Sequence, residues 1–270
     1  MGAVFHCLIF FLPDITIAIL SALPEEQQGL VHALSDVDTV QHAGRQFVCG
    51  RYAGQKVVLA LSGIGKVAAA TTTAALIERF GVQQLVFTGV AGGVGAGVQV
   101  GDVVVARHFV QHDMDVRPLF PRWQVPGYGS ALFDCDAALH DGLLQAAQDC
   151  VRQAGAWQLP LLQGHAPGAH SGLIASGDQF IVSAAVAQGI TQDLAAAGHA
   201  VLAVEMEGAA ITQACADYDI PFAAVRTISD RADGNAHVDF PAFVSAVASR
   251  YAQHIVLHWL NKNAGKPDNR

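Results

Sequence analysis

Charge is scarce in this 270-residue chain, since Asp, Glu, Lys and Arg together make up only 14% of it. The formal net charge is −8 at pH 7, and the 15 Lys and Arg residues nowhere form a cluster. Proteins that bind nucleic acid usually present a basic patch to the phosphates. We therefore expect no nucleic acid partner.

Cysteine is also sparse and scattered. The five cysteines show no CxxC or zinc-ligand spacing, and the twelve histidines form no HExxH pattern. Scattered cysteines of this kind are typical of reduced thiols in a cytoplasmic protein. We expect a cytoplasmic protein with no metal site and no cofactor.

Long apolar runs are missing as well. Residues 4–12 are largely apolar, but no Lys or Arg precedes them and Pro13-Asp14 interrupts the run. A spanning helix needs about 20 apolar residues, and a secretory signal has a basic start and a small-residue cleavage site. We expect residues 1–14 to be an extension ahead of the first strand, with a signal peptide as the alternative, and no membrane association.

The hydrophobic residues that are present alternate between two spacings. Hydrophobic residues make up 52% of the chain, which also has 27 glycines, and this composition suits buried strands joined by tight turns. Short apolar runs typical of strands occupy 15–20, 46–50, 56–61, 85–88, 101–106 and 172–175. Helical spacing marks 66–80, 136–151 and 243–255.

This alternation, without a linker or a repeat, predicts a single α/β domain over residues 15–262. We expect a mixed central β-sheet flanked by α-helices, followed by a tail at 263–270. Residues 107–133 are predicted to be irregular, and 153–170 are predicted to form a surface insertion.

Two carboxylates, Glu205 and Glu207, stand inside the apolar run 201–210. A buried carboxylate without a partner costs several kcal/mol, so each needs a donor nearby. A second apolar run, 221–230, contains Arg226 and ends in Ser229 and Asp230. In the structural interpretation, one of the two glutamates pairs with Arg226, and Asp230 only caps the next segment of the chain. A functional interpretation is equally open at this point.

A glycine-rich turn at 62–68 follows a predicted strand and has the pattern G-x-G-x-x-A. The dinucleotide fingerprint also requires an acidic residue at the end of the next strand. That strand, 85–88, runs into 89–93 without one. A dinucleotide site is therefore poorly supported, although such a turn suits the close approach of a ligand.

Six motifs in order carry a resemblance to the nucleoside phosphorylase/nucleosidase superfamily, and most closely to the 5'-methylthioadenosine/S-adenosylhomocysteine nucleosidases. They are SALPEE (21–26), SGIGK (62–66), TGVAGG (88–93), SGDQFI (176–181), AVEMEGAA (203–210) and RTISD (226–230). The resemblance covers residues from about 15 to 260. It implies a nucleoside phosphorylase-like fold and cleavage of an N-glycosidic bond in an adenine nucleoside.

The resemblance also implies catalytic roles that this chemistry requires. Glu26 matches the general base for the attacking water, although Glu25 and Glu26 also suit the first turn of a helix. Asp230 matches the general acid that protonates the purine ring nitrogen, with Ser229 orienting its carboxyl group. Arg226 would help to fix the water or the base.

Further positions match substrate contacts in the family. Glu207 corresponds to the residue that binds the ribose hydroxyls, with Glu205 in a supporting role. The other positions expected to contact substrate are Met206 at the sugar, Phe180 and Ile181 at adenine, Phe240 closing the pocket, and Val90, Ala91 and Gly92 along its wall.

Two departures from the family pattern concern the 5'-group and the nucleophile. Val90 stands where the family often has Ser or Thr, so one hydroxyl near the nucleophile is missing. The loop 116–126 matches only loosely, and in the family this region reaches over the substrate of a neighbouring subunit. The resemblance implies a homodimer with residues 107–126 at or near the interface, and it leaves the preferred 5'-substituent open.

Three functions remain at this point. A phosphorylase needs positive charge or several backbone donors for its phosphate nucleophile, whereas Glu25 and Glu26 would repel phosphate, so hydrolysis is favoured. Arg45, Arg51 or Arg117 could still supply charge from elsewhere. The third function is that of a non-catalytic nucleoside-binding protein.

Overall fold

A computed structural model describes residues 15–159, 166–232 and 243–264. The predicted extension 1–14, Phe240, most of the tail 263–270 and residues 160–165 of the predicted insertion lie outside the described residues. The proposed boundaries at 14/15 and 262/263 therefore stay predictions.

The first half of the chain forms a βαβββαβ succession. In chain order it comprises β1 (Thr16–Ser21), α1 (Pro24–Ala33), β2 (Ser35–His42), β3 (Arg45–Tyr52), β4 (Gln55–Leu61), α2 (Lys66–Phe80) and β5 (Gln84–Gly93). The second half comprises β6 (Val103–Gln111), β7 (Leu132–Asp134), α3 (Ala137–Gln153), β8 (Ala169–Ser176), α4 (Ala184–Ala196), β9 (Val201–Glu205), α5 (Gly208–Asp217) and β10 (Phe222–Asp230). One turn of π-helix, Val244–Ala248, then leads into α6 (Ser249–Asn263).

The strands join in one mixed sheet, which confirms the predicted fold class. β5 is its centre, because it pairs in parallel with β1 and β10 and in antiparallel with β9. β10 also pairs with β6, β6 with β8, and β8 with β9, so these pairings return to β5 and close that half of the sheet on itself. β4, β3 and β2 extend the other half from β1.

Hydrophobic packing covers the sheet on both faces. Alternate strand residues such as Ile19 and Val86 pack beneath α1, α3 and α6, where Trp259 is only 2% exposed. Their neighbours Leu20 and Phe87 face the opposite way, towards α2 and α5. This period-two alternation in otherwise continuous apolar strands is expected of a sheet buried on both sides.

Three sequence predictions about element boundaries were wrong. β6 runs on to Gln111 and β7 begins at Leu132, so 107–133 is irregular only in its middle. β5 continues through the glycine motif to Gly93, because β10 pairs with it as far as Gly92 and β9 pairs with Gly92 and Gly93. Residues 169–170, placed in the insertion, belong to β8, because Ala169 pairs with Val103.

The parallel strands β1, β5 and β10 end at the same edge of the sheet, where α1 and the turn before α2 begin. Ligands of open α/β sheets bind at such carboxyl ends. None of the helices in the described part of the chain is long and apolar enough to cross a membrane.

Candidate active site

A cavity of about 370 Å³ opens at this edge of the sheet. Every predicted site residue in the described part of the chain lines it: Glu26, Val90, Ala91, Gly92, Phe180, Ile181, Glu205, Met206, Glu207, Arg226, Ser229 and Asp230. The fold thus brings together residues from five segments that are far apart in sequence. Phe240 lies outside the described residues.

Glu26 projects into the cavity from the first turn of α1 and is only 2% exposed. Its Oε2 accepts hydrogen bonds of 2.9 Å from the backbone N–H groups of Ala22 and Leu23, and its Oε1 accepts one of 3.2 Å from Val90. Burial raises the pKa of Glu26, even though the positive charge of Arg226 and these three donors work in the opposite direction. The carboxylate is therefore held firmly and binds a proton more readily than an exposed one.

Glu205 forms the buried ion pair that the structural interpretation expected. Arg226 Nη2 donates to Glu205 Oε2 at 2.6 Å, and the Arg226 guanidinium lies 3.5 Å from the centre of the Phe87 ring. Glu205 also accepts from Ser176 Oγ and from the N–H groups of Glu207 and Gly208, at the start of α5. A carboxylate at a helix N-terminus is well stabilised, so Glu205 is satisfied by the protein itself.

Glu207 lies farther from Arg226, with 3.7 Å between Glu207 Oε2 and Arg226 Nη2. Arg226 therefore contacts Glu205 more closely than Glu207. Glu207 Oε1 accepts a hydrogen bond of 2.8 Å from the N–H of Gly65, in the glycine-rich turn. Burial and the nearby charge of Glu205 raise the pKa of Glu207 to about 7, against the lowering effect of Arg226.

Asp230 is the last residue of β10 and lines the cavity. Its Oδ2 accepts from Ser229 Oγ at 2.7 Å, and its Oδ1 accepts from the N–H of Ala232 at 2.7 Å. The second contact is the capping interaction that the structural interpretation assigned to this residue. Because the carboxylate is 9% exposed and lines the cavity, capping leaves it within reach of a ligand.

Gly89 is needed where β5 and β10 run side by side. Its φ is +151°, and a Cβ added there would lie 2.4 Å from Arg226 Nη1 and 2.7 Å from Glu26 Oε1. No side chain fits between these two groups. The glycine in the TGVAGG motif thus keeps the Arg226 and Glu26 side chains in place.

The side of the cavity expected to bind the base comes from the loop after β8. Ile181 is buried, whereas Phe180 is 46% exposed at the mouth. In the same loop, Asp178 Oδ1 accepts a hydrogen bond of 2.7 Å from the N–H of Lys66. No individual role was predicted from the sequence for Asp178, Lys66, Gly65 or Ser176, although all four lie within the six motifs.

Comparison with known proteins places this chain in a family. The profile described as "Phosphorylase superfamily" matches residues 16–261. A 5'-methylthioadenosine/S-adenosylhomocysteine nucleosidase from Aeromonas salmonicida is 33% identical over 91% of this chain and 99% of its own length.

Solved structures show the same similarity. A nucleosidase of that name from Colwellia psychrerythraea, in complex with adenine, is 34% identical with a TM-score of 0.81, covering 94% of this chain and 98% of its own. A futalosine hydrolase from Helicobacter pylori is 28% identical with a TM-score of 0.78, covering 92% and 98%. The chain belongs to the phosphorylase superfamily and, within it, to the family of 5'-methylthioadenosine/S-adenosylhomocysteine nucleosidases.

Proposed function

We propose that this protein hydrolyses the N-glycosidic bond of 5'-methylthioadenosine and S-adenosylhomocysteine, releasing adenine and the 5-thioribose product. The observation that carries the proposal is the setting of Glu26. A buried carboxylate with both oxygens held by backbone N–H groups faces a cavity that Glu207 and Asp230 also line. These are the groups needed to activate water, hold a sugar and protonate a leaving base.

The proposed reaction begins with a water molecule that gives a proton to Glu26 as its oxygen attacks C1' of the ribose. Glu207 accepts hydrogen bonds from the ribose hydroxyls, and the sugar then adds partners for this buried carboxylate to the Gly65 N–H that it already has. Met206 packs against the sugar. Burial, by raising the pKa of Glu26, makes it a stronger base than an exposed glutamate.

Departure of adenine requires a proton at the purine ring nitrogen, and we assign its delivery to Asp230. The Ser229 hydroxyl and the Ala232 N–H would stabilise the carboxylate that remains after the transfer. Phe180 and the backbone at Ile181 would bind the adenine ring. The C1'–N bond breaks with its electron pair going to the protonated base, and the water oxygen becomes the new C1' substituent.

Charge in the cavity favours water over phosphate as the nucleophile. Arg226 is the one Lys or Arg among its described lining residues, and its Nη2 donates to Glu205. Arg45 donates to Thr71, Arg51 to the Gly54 carbonyl and Arg117 to Asp115, and none of the three lines the cavity. A phosphate dianion beside Glu26 would lack compensating charge.

The direct test is incubation with methylthioadenosine, S-adenosylhomocysteine, inosine and uridine, with and without phosphate. Chromatography should detect adenine and a free thioribose, at a rate independent of phosphate. A ribose phosphate formed only when phosphate is added would establish a phosphorylase instead. Binding of adenine nucleosides without any release of base would establish a non-catalytic binding protein.

The 5'-substituent needs a separate comparison. Since a futalosine hydrolase is among the similar structures, futalosine belongs in the same assay as a competing substrate. We expect kcat/KM to be higher for the two thionucleosides. A preference for futalosine would leave the proposed cleavage of an N-glycosidic bond unchanged, but it would show that the proposed substrate is wrong.

We also propose that the protein is a homodimer, as the family resemblance implies. Three apolar side chains at the cavity or close in sequence to its lining are exposed in the single chain: Ile64, which lines it, at 62%, Val67 at 75% and Val182 at 42%. Light scattering should give twice the chain mass of 28.3 kDa. Val67→Asp should lower that mass, whereas Val37→Asp on the edge strand β2 should not. A monomeric wild-type protein would exclude the dimer.

A further inference from the structure

Three residues outside the proposed reaction form a closed set of hydrogen bonds beside the cavity. Lys66 N donates to Asp178 Oδ1 at 2.7 Å, Asp178 N donates to Asp113 Oδ2 at 3.0 Å, and Lys66 Nζ donates to Asp113 Oδ1 at 2.6 Å. Each member contacts the other two, so we call this set the Lys66–Asp113–Asp178 ring. It joins the start of α2, the segment after β6 and the loop after β8.

The first contact replaces a missing helix cap. Gly65, the residue before α2, has no side chain with which to cap the helix. The carboxylate of Asp178 takes that place from another part of the chain, and the partial positive charge of the helix start favours it. Gly65 also allows the Asp178 carboxylate to approach the backbone closely, since a Cβ added at Gly65 would lie 3.2 Å from Asp178 Oδ1. The φ of Gly65, +97°, likewise favours glycine.

The other two contacts of the ring, both made by Asp113, hold Asp178 in place. Asp113 accepts from Lys66 and from the Asp178 backbone with different oxygens, and Lys66 Nζ is steadied further by Gln111 Oε1 at 3.1 Å. The Lys66 side chain is only 16% exposed and that of Asp113 34% exposed, so the pair is partly shielded from solvent. Such a pair orients its partners better than a fully exposed one.

Two members of the ring, Lys66 and Asp178, are close in sequence to residues of the proposed substrate site. Gly65, one residue before Lys66, donates its N–H to Glu207 Oε1 at 2.8 Å, and Glu207 is the proposed ribose ligand. Phe180 and Ile181, two and three residues after Asp178, line the proposed adenine site. The ring is thus a short connection between the sugar carboxylate and the base-binding loop.

We propose that Lys66, Asp113 and Asp178 are positioning residues that hold the base-binding segment 179–181 at a fixed distance from Glu207. This inference rests on the proposed function, because it assigns the two halves of the cavity to base and sugar. A nucleoside spans both halves and depends on their separation, whereas free adenine occupies one half only. Loss of this alignment therefore weakens the binding of the nucleoside more than the binding of free adenine.

The test compares these two ligands in variants of Asp178. In Asp178→Ala we expect kcat/KM for methylthioadenosine to fall by about 10-fold or more, with the Kd of adenine within about 3-fold of wild type. Asp178→Asn keeps an oxygen acceptor for the Lys66 N–H and should recover most of the loss. Asp134→Ala, which removes an exposed carboxylate paired with His108, is the matched control and should leave both values unchanged.

A double-mutant cycle tests the closure of the ring and does not depend on the folding of the alanine variant. Lys66→Met and Asp113→Asn should each lower kcat/KM, and the double variant should lose clearly less than the product of the two single losses. Unchanged kcat/KM in Asp178→Ala, or independent effects in the cycle, would overturn the proposal. A parallel loss of adenine binding would also overturn it, because Asp178 would then shape the base site alone.

Failure of the proposed function gives a different result. If the wild-type protein releases no base from any nucleoside, hydrolysis is refuted. Calorimetry on the same variants can then still test the positioning role, which predicts a larger loss of affinity for methylthioadenosine than for adenine. Equal losses of affinity for both ligands in that experiment would show that the ring does not position the two halves of the cavity.

Discussion

Four carboxylates line one cavity, and their individual surroundings distinguish them. Glu205 is satisfied by Arg226 and by donors at the start of α5, so the protein alone accounts for it. Glu26 has backbone donors but faces the cavity. Among the described residues, Glu207 accepts a single hydrogen bond, of 2.8 Å from Gly65, and burial raises its pKa. A ligand has most to offer at Glu207, because that carboxylate accepts the fewest hydrogen bonds of the four from the described part of the chain.

Asp230→Asn tests the proposed acid at the residue scale. Asparagine retains an oxygen for the Ala232 N–H but cannot deliver a proton, so kcat should fall by about 10²- to 10⁴-fold. The affinity for a non-hydrolysable substrate analogue, measured by calorimetry, should stay within about 3-fold. Turnover close to that of wild type would refute the acid role.

Glu26→Gln tests the proposed base against a purely structural role at the start of α1. Glutamine cannot accept the proton of water, so hydrolysis should fall by about 10²- to 10⁴-fold. We expect the variant to fold, because glutamine retains one side-chain oxygen for the backbone donors that now hold Glu26. The neighbouring exposed Glu25→Gln is the control and should behave as wild type. A variant that fails to fold, as judged by circular dichroism, would instead support the helix-start role.

At the scale of elements, the contact between β5 and β10 brings the Glu26 carboxylate and the Arg226 guanidinium close together. Gly89 pairs with Arg226 in the register of these two strands, and Glu26 approaches the same glycine from α1. Predicting a strand only for 85–88 missed this, because the glycines that follow have weak strand propensity on their own. Hydrogen bonding to β10 extends β5 through these glycines. The local sequence of β5 does not reveal this pairing.

Gly89→Ala should therefore be far more harmful than an ordinary glycine replacement. The added methyl group would displace Arg226 Nη1 and Glu26 Oε1, so we expect kcat/KM to fall by about 10²-fold or more. The matched control is Gly54→Ala, since Gly54 also has a positive φ (+83°) but an added Cβ there would have no atom of the described residues within 4 Å. That control should lose only about 1–2 kcal/mol of stability and no activity. Similar kinetics in the two variants would show that Gly89 serves backbone conformation alone.

At the scale of the whole molecule, the raised pKa of Glu207 links folding to pH. Its folded-state pKa is about 7 against an ordinary value of 4.5, so the folded protein binds this proton more tightly than the unfolded chain. The stabilising contribution is complete below pH 4.5 and is lost as pH rises towards and through 7. The shift corresponds to about 3 kcal/mol at about 1.4 kcal/mol per pH unit.

Glu207→Gln should remove this dependence. The free energy of unfolding of wild type relative to the variant should fall as pH rises from 5 to 8, measured by chemical denaturation. The comparison cancels groups common to both proteins, such as His112, whose pKa is lowered by burial and whose contribution runs in the opposite direction. A constant difference across this range would show that Glu207 does not titrate as stated. The variant should also bind nucleoside more weakly, and unchanged affinity would argue against the ribose role.

Much of the fold could be predicted because its signals are local. The apolar runs of β1 and β4, the helical spacing of α2 and α3, and the absence of linkers or repeats all follow from residues close in sequence. β2 was missed because it is largely exposed and carries little hydrophobic pattern. Phe240 lies outside the described residues, so its expected place at the pocket stays a prediction.

The sequence by itself predicted which residues line the cavity, because six short motifs carry the family resemblance and buried charges stand out in apolar runs. Only the tertiary structure decided their partners. It paired Arg226 with Glu205 in preference to Glu207, and it placed the Gly65 N–H against Glu207 across 142 positions of the chain. It also joined Lys66, Asp113 and Asp178. Contacts of this kind depend on the register of distant strands and on where each loop returns to the sheet edge, and no local pattern of residues encodes either.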